Sequence, residues 1–170
     1  MQQPKMSGFY IFIEKNISVS DIKTLMKKLF PGFNFSEWDI EENIIDGVKD
    51  RELNETDVIF CLNEKPGLFK SFLEFYRFPN EKSVNRLDMY IAMKISNEFE
   101  CKVTIDGYSF SDQDQLPIYS LMLENEKAYL IYDCYPEDDW DENDPRIAEL
   151  KIEIIKEVNI SAFQYNFGND

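Results

Sequence analysis

The 170 residues carry 33 Asp and Glu against 18 Lys and Arg, a net charge of −15, and no histidine. That balance disfavours nucleic acid and anionic membrane as partners, and the missing imidazole removes the commonest general base, the His-paired nucleophiles and most catalytic zinc sites. The length suits one domain, residues 1–170, and the 44% hydrophobic content with fourteen Phe and nine Tyr excludes a disordered chain.

In chain order, residues 9–13 (FYIFI) are β-branched and aromatic without Gly or Pro, and they predict a first strand. Both of its faces are apolar, so it should lie centrally in a sheet. Before it, the N-terminus has neither a basic region feeding a long apolar run nor a small-residue cleavage site, and no stretch approaches the roughly 20 apolar residues of a membrane span. A cytoplasmic location is expected. A helix should begin at Ser18, with Asp21 completing a capping box and Ile17 and Ile22 forming a hydrophobic staple. Its buried stripe would be Val19, Ile22, Leu25, Met26 and Leu29, and Pro31-Gly32 would end it.

Residues 37–57 mix nine acids with Trp38, Ile40, Ile44, Ile45 and Val48, and apart from an Asp46-Gly47 turn they give no firm periodicity. Residues 57–62 and 68–78 read as strands joined around Glu64-Lys65-Pro66-Gly67. In the second, Phe69, Leu73 and Phe75 alternate with polar residues while Phe72 and Tyr76 blur the period, and its aromatic content is read mainly as core, with a ligand pocket as the lesser alternative. A second helix is predicted over 81–98, buried through Val84, Leu87, Ile91, Ala92 and Ile95, with Met89, Tyr90 and Met93 on its back. Asp88 lies at the edge of that stripe. A carboxylate in an early helical turn suits the helix dipole or an ion pair far better than catalysis.

Residues 101–106 predict a strand ending at an Asp106-Gly107 turn, and residues 118–123 and 128–135 predict a hairpin closed by Glu124-Asn125-Glu126-Lys127. Residues 136–145 (PEDDWDENDP) form a loop, because acids repel and a proline stands at each end. The tail over 150–158 alternates at period two like a strand, and a helix capped by Asp144 with Pro145 at its first position fits as well. The whole predicts an α+β domain, a mostly antiparallel sheet with two packed helices. Cys61, Cys101 and Cys134 are odd in number, far apart and set in apolar sequence, which predicts reduced core thiols.

Charge is concentrated in two places. Residues 106–144 hold twelve acids against Lys127 alone, a net of −11, and residues 37–57 hold nine against Lys49 and Arg51, a net of −7. The remaining 110 residues therefore sum to +3. Such a field attracts a basic partner at a raised on-rate, although an acidic surface also simply keeps a protein soluble.

Motif tests narrow the chemistry. Asp139, Asp141 and Asn143 have the one-three-five spacing of an EF-hand, but Asp144 stands where its glycine belongs and Leu150 where its bidentate Glu belongs. No phosphate-cradling glycine loop occurs, and no carboxylate pair is marked by an apolar surround that would raise a pKa. No catalytic residue, metal ligand or cofactor site is therefore assigned. Trp140, with acids on both sides and Tyr135 nearby, has the look of an interface anchor for a basic partner; the alternative is a ring folded back over the sheet edge.

The stretches RLDMYIAMKISNEFECKVTIDG and LPIYSLMLENEKAYLIYDCY, in the order helix, strand, polar loop, hairpin, resemble the layout of small acidic bacterial immunity proteins. The resemblance covers about residues 80–135 and rests on layout and acidity, with no diagnostic motif. It implies an α+β fold, no cofactor, and a one-to-one complex that blocks a toxin's active site.

The expectation is a protein that binds and neutralises a basic partner. Trp140 and Tyr135 would anchor it. Asp112, Asp114, Glu137, Asp138, Asp139, Asp141, Glu142 and Asp144 would pair with the Lys or Arg that a nuclease-type toxin uses for phosphates. A nucleic-acid mimic acting on a DNA-binding protein and a small carboxylate-dependent hydrolase are the alternatives.

Overall fold

The computed structural model describes residues 6–48, 52–79, 86–107, 119–132, 141 and 143–160. Among them, nine strands form one sheet, with helices α1 (Val19–Leu29) and α2 (Leu87–Phe99) on the face where its main core lies. The strands are β1 (Met6–Ile13), β2 (Asn34–Asp39), β3 (Ile44–Ile45), β4 (Asp57–Glu64), β5 (Ser71–Pro79), β6 (Val103–Asp106), β7 (Tyr119–Glu124), β8 (Lys127–Tyr132) and β9 (Ile154–Val158). Their order is β3-β2-β4-β5-β1-β6-β7-β8-β9. Every ladder is antiparallel except β2 with β4, so the mostly antiparallel α+β architecture is as expected. β1 stands in the middle.

The helix-facing side follows from period two. Ile11 and Ile13 of β1, Val58 and Phe60 of β4, Leu73 and Phe75 of β5, Val103 and Ile105 of β6, and Leu121 and Leu123 of β7 join one core with Ile22, Leu25 and Met26 of α1 and Ile91, Ala92 and Ile95 of α2. Val19 and Leu29 sit at its margin. Met89, placed on the back of α2 from the sequence, is fully buried, so that helix is covered on more than its stripe.

The start of α1 is fixed locally. Ser18 accepts a hydrogen bond from the Asp21 backbone N–H at 3.1 Å, and the Asp21 carboxylate accepts from the Ser18 backbone N–H at 3.3 Å, so two donors left over at the helix end are satisfied. Ser18→Ala should therefore lower stability by about 1 kcal/mol, read as a lower denaturant midpoint. An unchanged midpoint would contradict the cap.

Several boundaries differ from the sequence reading. α2 begins at Leu87 rather than 81, behind Arg86 in a left-handed conformation (φ 76°); residues 81–85, Val84 among them, lie outside the described residues. The guanidinium of Arg86 grips Asp88 through two bonds of 3.0 and 2.9 Å and also donates to the Asp106 carbonyl at 2.9 Å. Asp88 is thus an ion-pair partner that helps tie the helix start to the end of β6. β5 starts at Ser71 and β6 at Val103; Phe69 is buried in the connection before β5. The β7–β8 turn is tighter than the four residues expected. Glu124 pairs directly with Lys127, and Asn125 and Glu126 both take positive φ (50° and 64°), the twist that two-residue hairpins favour.

The strand reading of the tail holds, later than expected, and of the helix reading only the Asp144 cap and the Pro145 start are found. Asp144 caps a short 3₁₀ turn over Pro145–Glu149, and β9 begins only at Ile154. Residues 37–56, unassigned from sequence, supply half of β2 and all of β3, with Gly47 turning at φ 72°, and β4 begins at Asp57 as expected.

Candidate functional site

Of the ten residues expected to meet a partner, Asp112, Asp114, Tyr135, Glu137, Asp138, Asp139, Trp140 and Glu142 lie outside the described residues. The other two have local work. Asp141 is exposed, and its carboxylate accepts from the Asn143 backbone N–H and side-chain amide at 2.8 and 3.1 Å. Asp144 accepts from the Arg146 backbone N–H at 2.9 Å and from its guanidinium at 2.7 to 3.2 Å, which holds its carboxyl below the usual range. At the near end of the same loop, Tyr119 and Tyr132 stack at 5.3 Å across the hairpin, and each other's presence pushes the Tyr132 phenol up.

The acids of 37–57 separate into different roles. Asp57 is completely buried, accepting from the Asn54 backbone N–H at 2.8 Å and the Asn34 amide at 3.1 Å. Asp46 pairs with Lys23 of α1 at 2.8 Å, a contact that lowers its pKa. Glu37 is half-buried, and burial raises its pKa against the pull of Lys23. Asp39, Glu41, Glu42 and Glu55 are exposed.

A second surface lies on the strand whose aromatic content was read mainly as core. The sheet face turned away from the helices has two zones. Across β6, β7 and β8 it is buried, through Thr104, Ser120, Met122 and Ile131. Across β5 and β1, with Trp38 of β2 beside them, it is half open and aromatic: Tyr10 is 44% exposed and Tyr76 37%, with Phe12, Phe72 and Trp38 intermediate. Phe12 and Phe72 stack at 4.7 Å, Tyr10 lies 5.7 Å from Phe12 and 6.0 Å from Phe72, and Trp38 meets Tyr76 edge-on at 4.8 Å. Among the described residues, the buried Trp38 indole N–H has no acceptor, an arrangement tolerated only where ring packing outweighs it.

One carboxylate stands among these rings. Register places Glu74 of β5 opposite Tyr10 on one side and Cys61 on the other, while Phe72 and Tyr76 flank it on its own strand. Glu74 accepts from the Tyr76 hydroxyl at 2.7 Å, and that bond, with burial, pushes the phenol up to about 12. The buried Cys61 thiol is pushed up chiefly by burial, then by the nearby carboxylates of Glu37, Glu74 and Asp39. Cys101 is pushed up to about 11, mainly by burial; both thiols are free and inert in character, as expected, and Cys134 lies outside the described residues.

The signal for this surface was in the sequence. One face of β1 and β5 carries Tyr10, Phe12, Phe72 and Tyr76, and the other carries mainly aliphatic residues and Phe. Tyrosine at alternate positions marks a face that is partly wet, because its ring is apolar and its hydroxyl is not.

Among the described residues, no three acids or cysteines gather to hold a metal ion, and no helix is long and apolar enough to cross a membrane. Compared with known proteins, the chain matches no family model, no curated relative and no solved structure.

Proposed function

We propose that this chain is a binding protein that neutralises a basic protein, in the manner of an immunity protein covering the active site of a cognate bacterial toxin in the cytoplasm. The observation that carries the reading is the charge distribution. Two segments of sixty residues hold −18 while the rest of the chain holds +3, a separation that a merely solubilising surface does not need. With no histidine in the chain, binding is also better supported than catalysis.

Steering and anchoring would be divided between residue types. Acids at the rim accelerate approach, and a desolvated aromatic ring slows departure. Exposed Asp141 belongs to the first class, and Trp140 is assigned to the second. The test is recovery of the partner from the native host, followed by kinetics on it. Replacing Asp138, Asp139 and Asp141 with Asn should slow association about tenfold and flatten its salt dependence. Trp140→Ala should raise the dissociation rate and weaken the complex by about 2 kcal/mol with the salt dependence unchanged. Recovery of no basic protein overturns the function, and a basic partner indifferent to all four substitutions overturns the loop as its site.

A further inference from the structure

We propose that the half-open aromatic face of β1 and β5 is a docking site for an arginine side chain of a basic protein, with Glu74 as its ion-pair partner and the rings of Tyr10, Phe72 and Tyr76 as its walls. The inference rests on the proposed function for the identity of the partner as a basic protein, and it adds a site and a side-chain class that the acidic loop does not supply.

Register is the first argument. Glu74 is the one carboxylate on β5 that faces away from the helices, and the strand geometry rings it with Tyr10, Phe72 and Tyr76 at neighbouring positions. Its contact with the Tyr76 hydroxyl uses Oε2, and among the described residues Oε1 has no hydrogen-bond donor. A carboxylate so placed has one oxygen to offer. The surrounding rings displace water and strengthen what it binds.

Charge is the second argument. Glu74 puts a carboxylate on this face, between Tyr10 and Cys61 on the neighbouring strands, and the chain as a whole carries −15. The face already attracts a cation of its own chain, since the Lys65 ammonium sits 5.4 Å from the centre of the Phe72 ring. A second copy of the chain is disfavoured as occupant, because it brings −15 and the same acids to the same face.

Ring geometry selects between cations. A guanidinium is planar and weakly hydrated, so it can lie flat against Tyr10 or Phe72 while its edge donates to Glu74; an ammonium is compact and holds its water. Arginine should therefore be preferred to lysine.

The probe is a short capped peptide with two arginines spaced by glycine, titrated into the full chain carrying ¹³C-labelled aromatic rings. Saturable shifts are expected at Tyr10, Phe72 and Tyr76. The lysine peptide should bind about fivefold more weakly, and a citrulline peptide should leave the rings unmoved. Glu74→Gln keeps an acceptor for the Tyr76 hydroxyl and should weaken the arginine peptide about tenfold. Tyr10→Ser, at an exposed position, gives an independent reading by a loss of the same order if the Gln variant folds poorly. Shifts confined to other rings, equal binding of the lysine peptide, indifference to both substitutions, or ring shifts that track protein concentration without peptide would each overturn the site. A basic partner captured equally by the natural chain and by Glu74→Gln removes this site and leaves the proposed function standing. Arginine binding here with no basic partner recovered does the reverse.

Discussion

Gly107→Ala is expected to destabilise the protein by about 3 kcal/mol, a loss on the order of 6–12 °C in melting temperature for a chain of this size. The reason is space. A Cβ at this position would lie 2.8 Å from the carbonyl carbon of Ser120, 2.8 Å from the Tyr119 oxygen and 2.9 Å from the Leu121 nitrogen, all backbone atoms of β7. They cannot give way as a side-chain tip can, because Ser120 and Leu121 are paired on both sides, with Asp106 and Ile105 of β6 and with Ile131 and Leu130 of β8. Gly107 itself donates its N–H to the Tyr119 carbonyl at 3.0 Å, so moving it away breaks the bond that closes the end of the β6–β7 ladder. Gly32→Ala is the control. Nothing lies within 4 Å of a Cβ there, and its melting temperature should stay within a degree or two of the parent. Equal melting for both variants would show that β6 and β7 do not approach at Gly107 as described.

The features legible in the sequence are those set by neighbours in the chain. The capping box at Ser18 is a contact between residues three apart, so its pattern is complete in four letters. The hairpin of β7 and β8 is likewise local, and only its turn was misjudged, because Asn125 and Glu126 adopt the left-handed twist without the glycine that usually announces it. The segment 37–57 was not legible for the opposite reason. β2 runs parallel to β4, pairing Asn34 with Asp57 and Glu37 with Phe60, and a ladder between strands some twenty residues apart leaves no periodic mark in the residues between them. β3 is two residues long, too short to show any period.

For the candidate site, period two tells which residues share a face but not what covers it. Residues 9–13 read correctly as a central strand with apolar residues on both faces, yet a central place in the sheet does not bury both, and Tyr10 is 44% exposed. The aromatic content of β5 was likewise read as core, which holds for Phe75 and Phe78 and not for Tyr76. Acidity was a coarser guide. It counted Asp46 and Asp57 in an acidic segment and Asp144 among the partner-facing acids, whereas the first pairs with Lys23, the second is buried and the third caps a turn.

The contrast among these acids yields the second large effect. Asp57→Ala should cost about 3 kcal/mol, since it strips a buried acceptor from two part-buried hydrogen bonds, those from the Asn54 backbone N–H at 2.8 Å and the Asn34 amide at 3.1 Å. Those two donors stand at the entry to β4 and the start of β2. The carboxylate therefore clamps the one parallel ladder among the described residues at the end where both strands begin. Asp57→Asn keeps an oxygen for the Asn54 N–H while losing the charge, and should cost about 1 kcal/mol. Glu41→Gln and Glu42→Gln, at exposed positions, should leave stability within about 0.5 kcal/mol of the parent. Denaturant midpoints across the four variants decide the matter. An Asp57→Ala midpoint level with that of Glu41→Gln would mean that the charge of this segment is all surface, and that the start of β4 is held by its backbone ladder alone.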